Sequence, residues 1–180
     1  MEEYSYEIKI PRERIAVLIG QDGTVKEELE AQAKAVIDVD SEEGDVRMRG
    51  SDSVLLFQLK DVIKAVGRGF NPEIAMRLFK QDYVLEIITI TDFVKAKNHI
   101  IRLKGRIIGK NGKARETIEQ LTDTSISVYG KTIGVVGFCD RVAVAKRALE
   151  SLLMGSPHSS IFKMLEKQQK QWKIEEMTDI

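Results

Sequence analysis

The chain of 180 residues carries one unit twice. RIAVLIGQDGTVKEELEAQAKAVIDVD, beginning at Arg14, matches RLKGRIIGKNGKARETIEQLTDTSISV, beginning at Arg102. Gly20 falls on Gly109 at an offset of 89, and further along Gly50 falls on Gly137 at an offset of 87. Two nearly equal offsets mark a duplication, so whatever the first copy folds into the second must repeat.

Within each copy the hydrophobic period switches in the same order. The first opens with an expected strand, Tyr4 to Ile10, and a short helix after Pro11, a residue favoured in the first helical turn. A tight Gly-x-x-Gly turn follows, then a helix with Val25, Leu29 and Ala33 at spacing four. Ile37 and Val39 alternate with Asp38 and Asp40, and Val46 and Met48 alternate with Arg47 and Arg49, giving two strands. A longer helix from Ser53 shows Leu55, Leu59, Val62 and Val66 along one stripe.

The second copy replays this with a strand Tyr83 to Ile90, a helix ending at Gly109 and a helix carrying Ala114, Ile118 and Leu121. Strands Ser125 to Tyr129 and Lys131 to Val136 come next, then a helix Asp140 to Met154. Pro72 starts a linking helix to about Lys80, and a final helix has Ile161, Leu165, Gln168 and Trp172 on one face, expected to dock on the second copy. The order β-α-turn-α-β-β-α predicts an α+β fold in each copy, a three-stranded sheet covered on one face by three helices. The expected domains are 1–80 with the linking helix, 81–156, and a C-terminal helix over 157–180.

The turn Gly109-Lys110-Asn111-Gly112 holds the chemistry. Glycines permit positive φ and close backbone approach, and free N–H groups at the next helix start form an anion site. Such a turn clamps a sugar-phosphate backbone, with Lys110 adding a mobile positive charge. In isolation the same residues read as an ordinary helix hairpin, with Gly109 ending one helix and Asn111 capping the next. The surroundings favour the clamp: residues 95–115 hold Lys95, Lys97, Arg102, Lys104, Arg106, Lys110, Lys113 and Arg115 and no acid. A solvated helix face would mix its signs.

IIGKNGKARETIEQLTDTSISV resembles the core signature of a KH domain, whose Ile-Gly-x-x-Gly loop clamps about four nucleotides of single-stranded nucleic acid. The resemblance implies two tandem type I KH domains. It places backbone contacts on Gly109, Lys110, Asn111 and Gly112, and flanking charge on Lys113, Arg115, Arg102, Lys104, Arg106 and Lys131. It puts Ile107, Ile108, Ile126 and Val128 in or under the base groove. With the GFNPEIAMRL segment from Gly69 to Leu78, the whole chain is similar to the archaeal partner-of-Nob-one family. That resemblance implies a cytoplasmic, non-enzymatic factor of small ribosomal subunit assembly. It would bind single-stranded RNA near the 3′ end of 16S rRNA, act alongside the Nob endonuclease, and need no cofactor or metal.

The first copy departs at the decisive place. Its loop, Gly20-Gln21-Asp22-Gly23, has an acid and no base, and its strand-connecting loop is Asp40-Ser41-Glu42-Glu43-Gly44-Asp45, where the second copy has Tyr129-Gly130-Lys131-Thr132. A carboxylate about 4 Å from a phosphate costs about 1 kcal/mol in water and about 4 kcal/mol near a protein surface. With Lys110 attracting on the other side, one loop position separates the copies by about 2–5 kcal/mol. The second copy is therefore expected to hold RNA, and the acidic first copy to offer a protein contact. Asp22 itself is expected to cap the following helix.

Composition becomes informative once split in the same way. The formal net charge is +0, yet residues 1–90 carry twelve basic and eighteen acidic side chains and residues 91–180 carry sixteen and ten. One cysteine and two histidines cannot build a zinc finger. Cys139 is expected as a small packing residue at a helix start. The N-terminus lacks an apolar signal core and no run suggests a membrane span. Lys163, Lys167 and Lys170 on the final helix read as a solvated face or as an extension of the RNA track. The alternatives are a KH accessory subunit of an exosome-like RNA-degradation complex, though no S1-type run of five short strands accompanies it, or a protein scaffold that binds RNA weakly. There is no P-loop or nucleophile-base pair for an enzyme, and no projecting recognition helix for a DNA regulator.

Overall fold

A computed structural model describes residues 2–179. The chain divides into two compact units, Met1–Leu85 and Glu86–Ile180. In the first, β1 (Tyr4–Lys9) leads into α1 (Arg12–Ile19), α2 (Thr24–Ala33), β2 (Ala35–Val39), β3 (Asp45–Gly50) and α3 (Ser53–Gly67). The linking segment is α4 (Pro72–Ala75), which Asn71 caps by accepting from the Glu73 amide at 2.9 Å. It tightens into a 3-10 turn over Met76–Phe79 in place of one continuous helix.

The second unit has β4 (Tyr83–Thr89), α5 (Lys97–Ile108), α6 (Lys113–Thr122), β5 (Ser125–Tyr129), β6 (Thr132–Phe138), α7 (Cys139–Leu153) and α8 (His158–Thr178). Both sheets are three-stranded with the last strand central, in the orders β1-β3-β2 and β4-β6-β5.

The strand alternation decides which face is core. In the first sheet Met48 lies opposite Tyr6 and Ile37, and Val46 opposite Ile8 and Val39. Ile37, Val46 and Met48 are fully buried under the helices. The intervening residues face away from the core and pair by charge, Arg47 with Glu7 and Arg49 with Asp38, each at 2.9 Å. In the second sheet Ile126 lies opposite Val135 and Val128 opposite Ile133.

A shared device seats each second helix on its sheet. Glu30 accepts a hydrogen bond from the Ile37 amide at 2.8 Å, and Glu119 accepts from the Ile126 amide at 2.7 Å, at the duplication offset of 89. On α3 the buried stripe is Leu56, Leu59, Val62, Ile63 and Val66, so Leu55 stands at its edge. On α6 Thr122 takes the buried place beside Leu121 by satisfying its hydroxyl, which donates to the Ile118 carbonyl at 2.6 Å and lies 2.8 Å from the Thr124 hydroxyl. Helix α8 packs on α6 and α7 with Ile161, Leu165 and Trp172 buried, and the Arg141 guanidinium stacks 3.9 Å from the Trp172 ring. Cys139 is exposed rather than packed, because it opens α7 ahead of that helix's buried face.

Candidate nucleic-acid interface

Helices α5 and α6 meet at the Gly109–Gly112 turn. Gly109 has φ 73° and ψ 177°, a region open essentially to glycine alone, and a Cβ there would stand 2.6 Å from the Ala114 Cβ. Asn111 lies in the left-handed region at φ 56° and ψ 28°, which Asn and Asp tolerate. Gly112, not Asn111, is the N-cap of α6, at φ 75° and ψ 8°. The amides of Gly109, Gly112 and Lys113 bond to the carbonyls of Gly105, Gly109 and Lys110. Successive amides at a helix start, as at Lys110 and Asn111, form the kind of N–H arrangement that receives an anion.

The first unit builds the same turn. Gly20 has φ 74° and ψ 176°, Asp22 φ 54° and ψ 26°, and Gly23 φ 81° and ψ 5°, so the two turns agree to within about 6° at every matched angle. Asp22 is therefore not the helix cap expected of it. Gly23 occupies that position and no side chain caps α2, because left-handed backbone at Asp22 puts it inside the turn. The units differ in what they carry rather than in backbone. Asp22 and Gln21 are exposed on one loop, Lys110 and Asn111 on the other.

The strand-connecting loops widen this difference. In the first unit Asp40 accepts from the Glu42 and Glu43 amides at 2.9 and 3.0 Å. Those two backbone bonds, Glu43 first, hold its carboxyl below the usual carboxylate range. Around it stand Glu42, Glu43 and Asp45, with the Lys9 ammonium 3.7 Å from Glu43 and 3.8 Å from Asp45. In the second unit only Gly130 and Lys131 separate β5 from β6, and Lys131 is exposed.

The fourteen expected contact residues divide by placement. Arg102, Lys110, Asn111, Lys113 and Lys131 are exposed and Lys104 is half-buried; among the described residues Arg102, Lys104, Lys110 and Lys131 enter no ion pair. Lys113 lies 3.8 Å from Glu116. Arg115 is half-buried at the start of α6, with its Nε unpartnered. Ile108 and Val128 are half-buried and reach the surface, whereas Ile107 and Ile126 are buried beneath it and serve as core.

Arg106 is engaged within its own unit. Its guanidinium donates to the carbonyls of Leu152 at 3.2 Å and Ser156 at 2.6 Å, and its own carbonyl lies 2.8 Å from the His158 ring. It is a strut beneath the loop, fixing the end of α5 to the α7–α8 connection. Arg14 does the same work in the first unit, donating to Val66 and Phe70 at 2.8 Å, but from a position that aligns with Leu103. The alignment therefore gave no signal for it. Among the described residues no cluster of His, Cys, Asp and Glu could hold a metal ion, and no helix is long and apolar enough to cross a membrane.

The comparisons with known proteins agree with this geometry. Residues 84–170 match the eukaryotic type KH domain, type I, and residues 5–64 match the KH domain. A KH domain-containing protein of Methanocaldococcus jannaschii is 43% identical over 170 residues, covering 92% of this chain and 74% of that one. Pre-rRNA-processing protein pno1 of Aspergillus oryzae is 34% identical over 121 residues, covering 65% of this chain and 46% of the relative. The aDim2p fold solved in an a/eIF2alpha-aDim2p-rRNA complex from Pyrococcus horikoshii OT3 superposes with a TM-score of 0.89 at 40% identity, covering 94% of this chain and 96% of that one. Two KH units, one turn geometry and these relatives together make the chain a member of the dual-KH PNO1/Dim2 family.

Proposed function

We propose that this chain is an RNA-binding factor of small ribosomal subunit assembly that holds single-stranded rRNA on its second KH unit and catalyses nothing itself. The observation that carries the reading is the pairing of two turns of the same backbone with opposite charge: the Gly109–Gly112 turn carries a cation and no acid, the Gly20–Gly23 turn an acid and no cation. A relative named for pre-rRNA processing and a neighbour solved with rRNA support the substrate class. The contact set we assign is Gly109, Lys110, Asn111 and Gly112, with Lys113, Arg115, Arg102, Lys104 and Lys131 around them and Ile108 and Val128 on the groove. The RNA proposed is the 3′ region of the small-subunit rRNA, bound in the cytoplasm beside the Nob endonuclease.

The test is the double substitution Lys110→Asp with Asn111→Asp, assayed with tiled single-stranded oligoribonucleotides from that 3′ region. Affinity falls at least tenfold, which is about 1.4 kcal/mol, while the circular dichroism melt is unchanged. Gln21→Asp in the first-unit turn, where Asp22 is already acidic, leaves affinity where it was. Greater damage from the first-unit change would overturn the assignment.

The carboxylates of the first unit favour a second partner, a protein, on that unit. The neighbour solved in an a/eIF2alpha-aDim2p-rRNA complex has both a protein and an rRNA as partners, which supports a protein partner beside the RNA here.

A further inference from the structure

The charges of helix α8 are arranged against its own stability. Residues 158–173 hold Lys163, Lys167, Lys170 and Lys173 with one acid, Glu166, whereas Glu175, Glu176 and Asp179 follow with no base. Its first turn has no acid and its last turn no base, the reverse of what the helix dipole favours. Lys163 and Lys167 stand four apart and Lys167 and Lys170 three apart, spacings at which like charges destabilise a helix. Glu166 is spaced to relieve this by pairing with Lys163 or Lys170. Among the described residues, none of the three lysines enters an ion pair. A helix that forgoes this stabilisation holds its lysines for an anion outside the chain.

Position says which anion. Lys163 and Lys167 each follow a buried residue, Ile161 and Leu165, by two positions, and Lys170 precedes Trp172 by two, so each lies about 200° round the helix from the packed face. The three are exposed in one row over a rise of about 10 Å, the reach of two or three phosphates along a strand. The helix that bears the row starts beside the Gly109–Gly112 turn. The Arg106 guanidinium donates to the Ser156 carbonyl at 2.6 Å, and the His158 ring lies 2.8 Å from the Arg106 carbonyl, so α8 begins against the last turn of α5. The first unit has no such helix after α3, only the short linking segment.

We infer that Lys163, Lys167 and Lys170 form a phosphate track for the RNA that continues from the nucleotides clamped by the Gly109–Gly112 turn. The track is indifferent to sequence, because point charges on flexible stems meet the backbone and read no base edge. The inference rests on the RNA-binding reading of the second unit and lengthens its footprint.

The test uses two oligoribonucleotides from the 3′ region of small-subunit rRNA, one of about twelve nucleotides and one of about five that fills the turn alone. With Lys163→Gln, Lys167→Gln and Lys170→Gln combined, affinity for the longer strand falls at least about tenfold at low salt. Its salt slope becomes shallower by about 1.4–2.1, about 0.7 for each of two or three phosphates. The shorter strand keeps the affinity and slope of the parent. Arginine at the same three positions restores both for the longer strand, since charge is what the track supplies. The circular dichroism melt does not fall, because the variant relieves like-charge contacts. Removing equal charge from the first unit, by Lys34→Gln, Lys64→Gln and Lys80→Gln, leaves the longer strand bound as before. An equal loss there would reduce the effect to net charge and overturn the track. If the α8 variant binds both strands like the parent while the Lys110 and Asn111 double variant does not, the track is wrong and the RNA reading stands. If neither variant changes RNA binding, both fall.

Discussion

Asp61, on α3 between Lys60 and Lys64, shows how a single residue trades stability against pH. Burial pushes its carboxyl above the usual value of 3.8, and the two lysines only partly offset this. A carboxyl whose folded pKa is raised supplies stability that is complete below about pH 3.8 and is lost as pH rises through the folded value. At neutral pH the ionised group is therefore carried at a cost. Asp61→Asn raises the neutral-pH melting temperature, by less than about 1 kcal/mol of stability after solvent screening, and the gain disappears in melts below about pH 3.8. The residue scale is also where the candidate site was most legible. Lys110 and Asp22 announce their charge in any alignment of the copies, since a loop residue keeps its chemistry wherever the fold puts it. Arg106 was not legible, because an arginine in a basic run says nothing about which carbonyls its long side chain reaches.

At the scale of elements, α5 does two jobs on two faces. Ile100, Leu103 and Ile107 bury one face, and Arg106 beside it is spent on the α7–α8 connection. Substituting Arg106 by Gln leaves the Leu152 and Ser156 carbonyls short of a charged donor. Thermal or urea unfolding should register a loss of about 2–3 kcal/mol. Arg102→Ala, on the exposed side, changes stability by less than about 0.5 kcal/mol and shows its effect in RNA affinity instead. The element order and both turn positions followed from period and punctuation. The exceptions were local tightening of the linking helix and the edge of each buried stripe. Periodicity fixes a helix face to within about one residue position and no better, since adjacent positions differ by only about 100°.

For the whole molecule, a net charge of zero is the sum of two halves of opposite formal charge, −6 over residues 1–90 and +6 over residues 91–180. Binding should therefore respond to salt as a cationic site does. With three or four phosphates neutralised on a single strand, log K against log salt slopes at about −2 to −3, measured by fluorescence anisotropy across a potassium chloride series. A flat response would indicate a scaffold in which RNA is incidental.

The sequence by itself determined the duplication, the order of strands and helices, the two glycine turns and which of them is cationic. Each of these is written in local period, in special backbone residues or in formal charge, all properties of short stretches of chain. Tertiary structure alone decided that Ile107 and Ile126 are buried as core. It also decided that Cys139 is exposed and that Arg106 is a strut. The Arg106 outcome depends on partners 46 to 52 positions away, Leu152, Ser156 and His158, and no local pattern encodes which distant carbonyl a side chain meets.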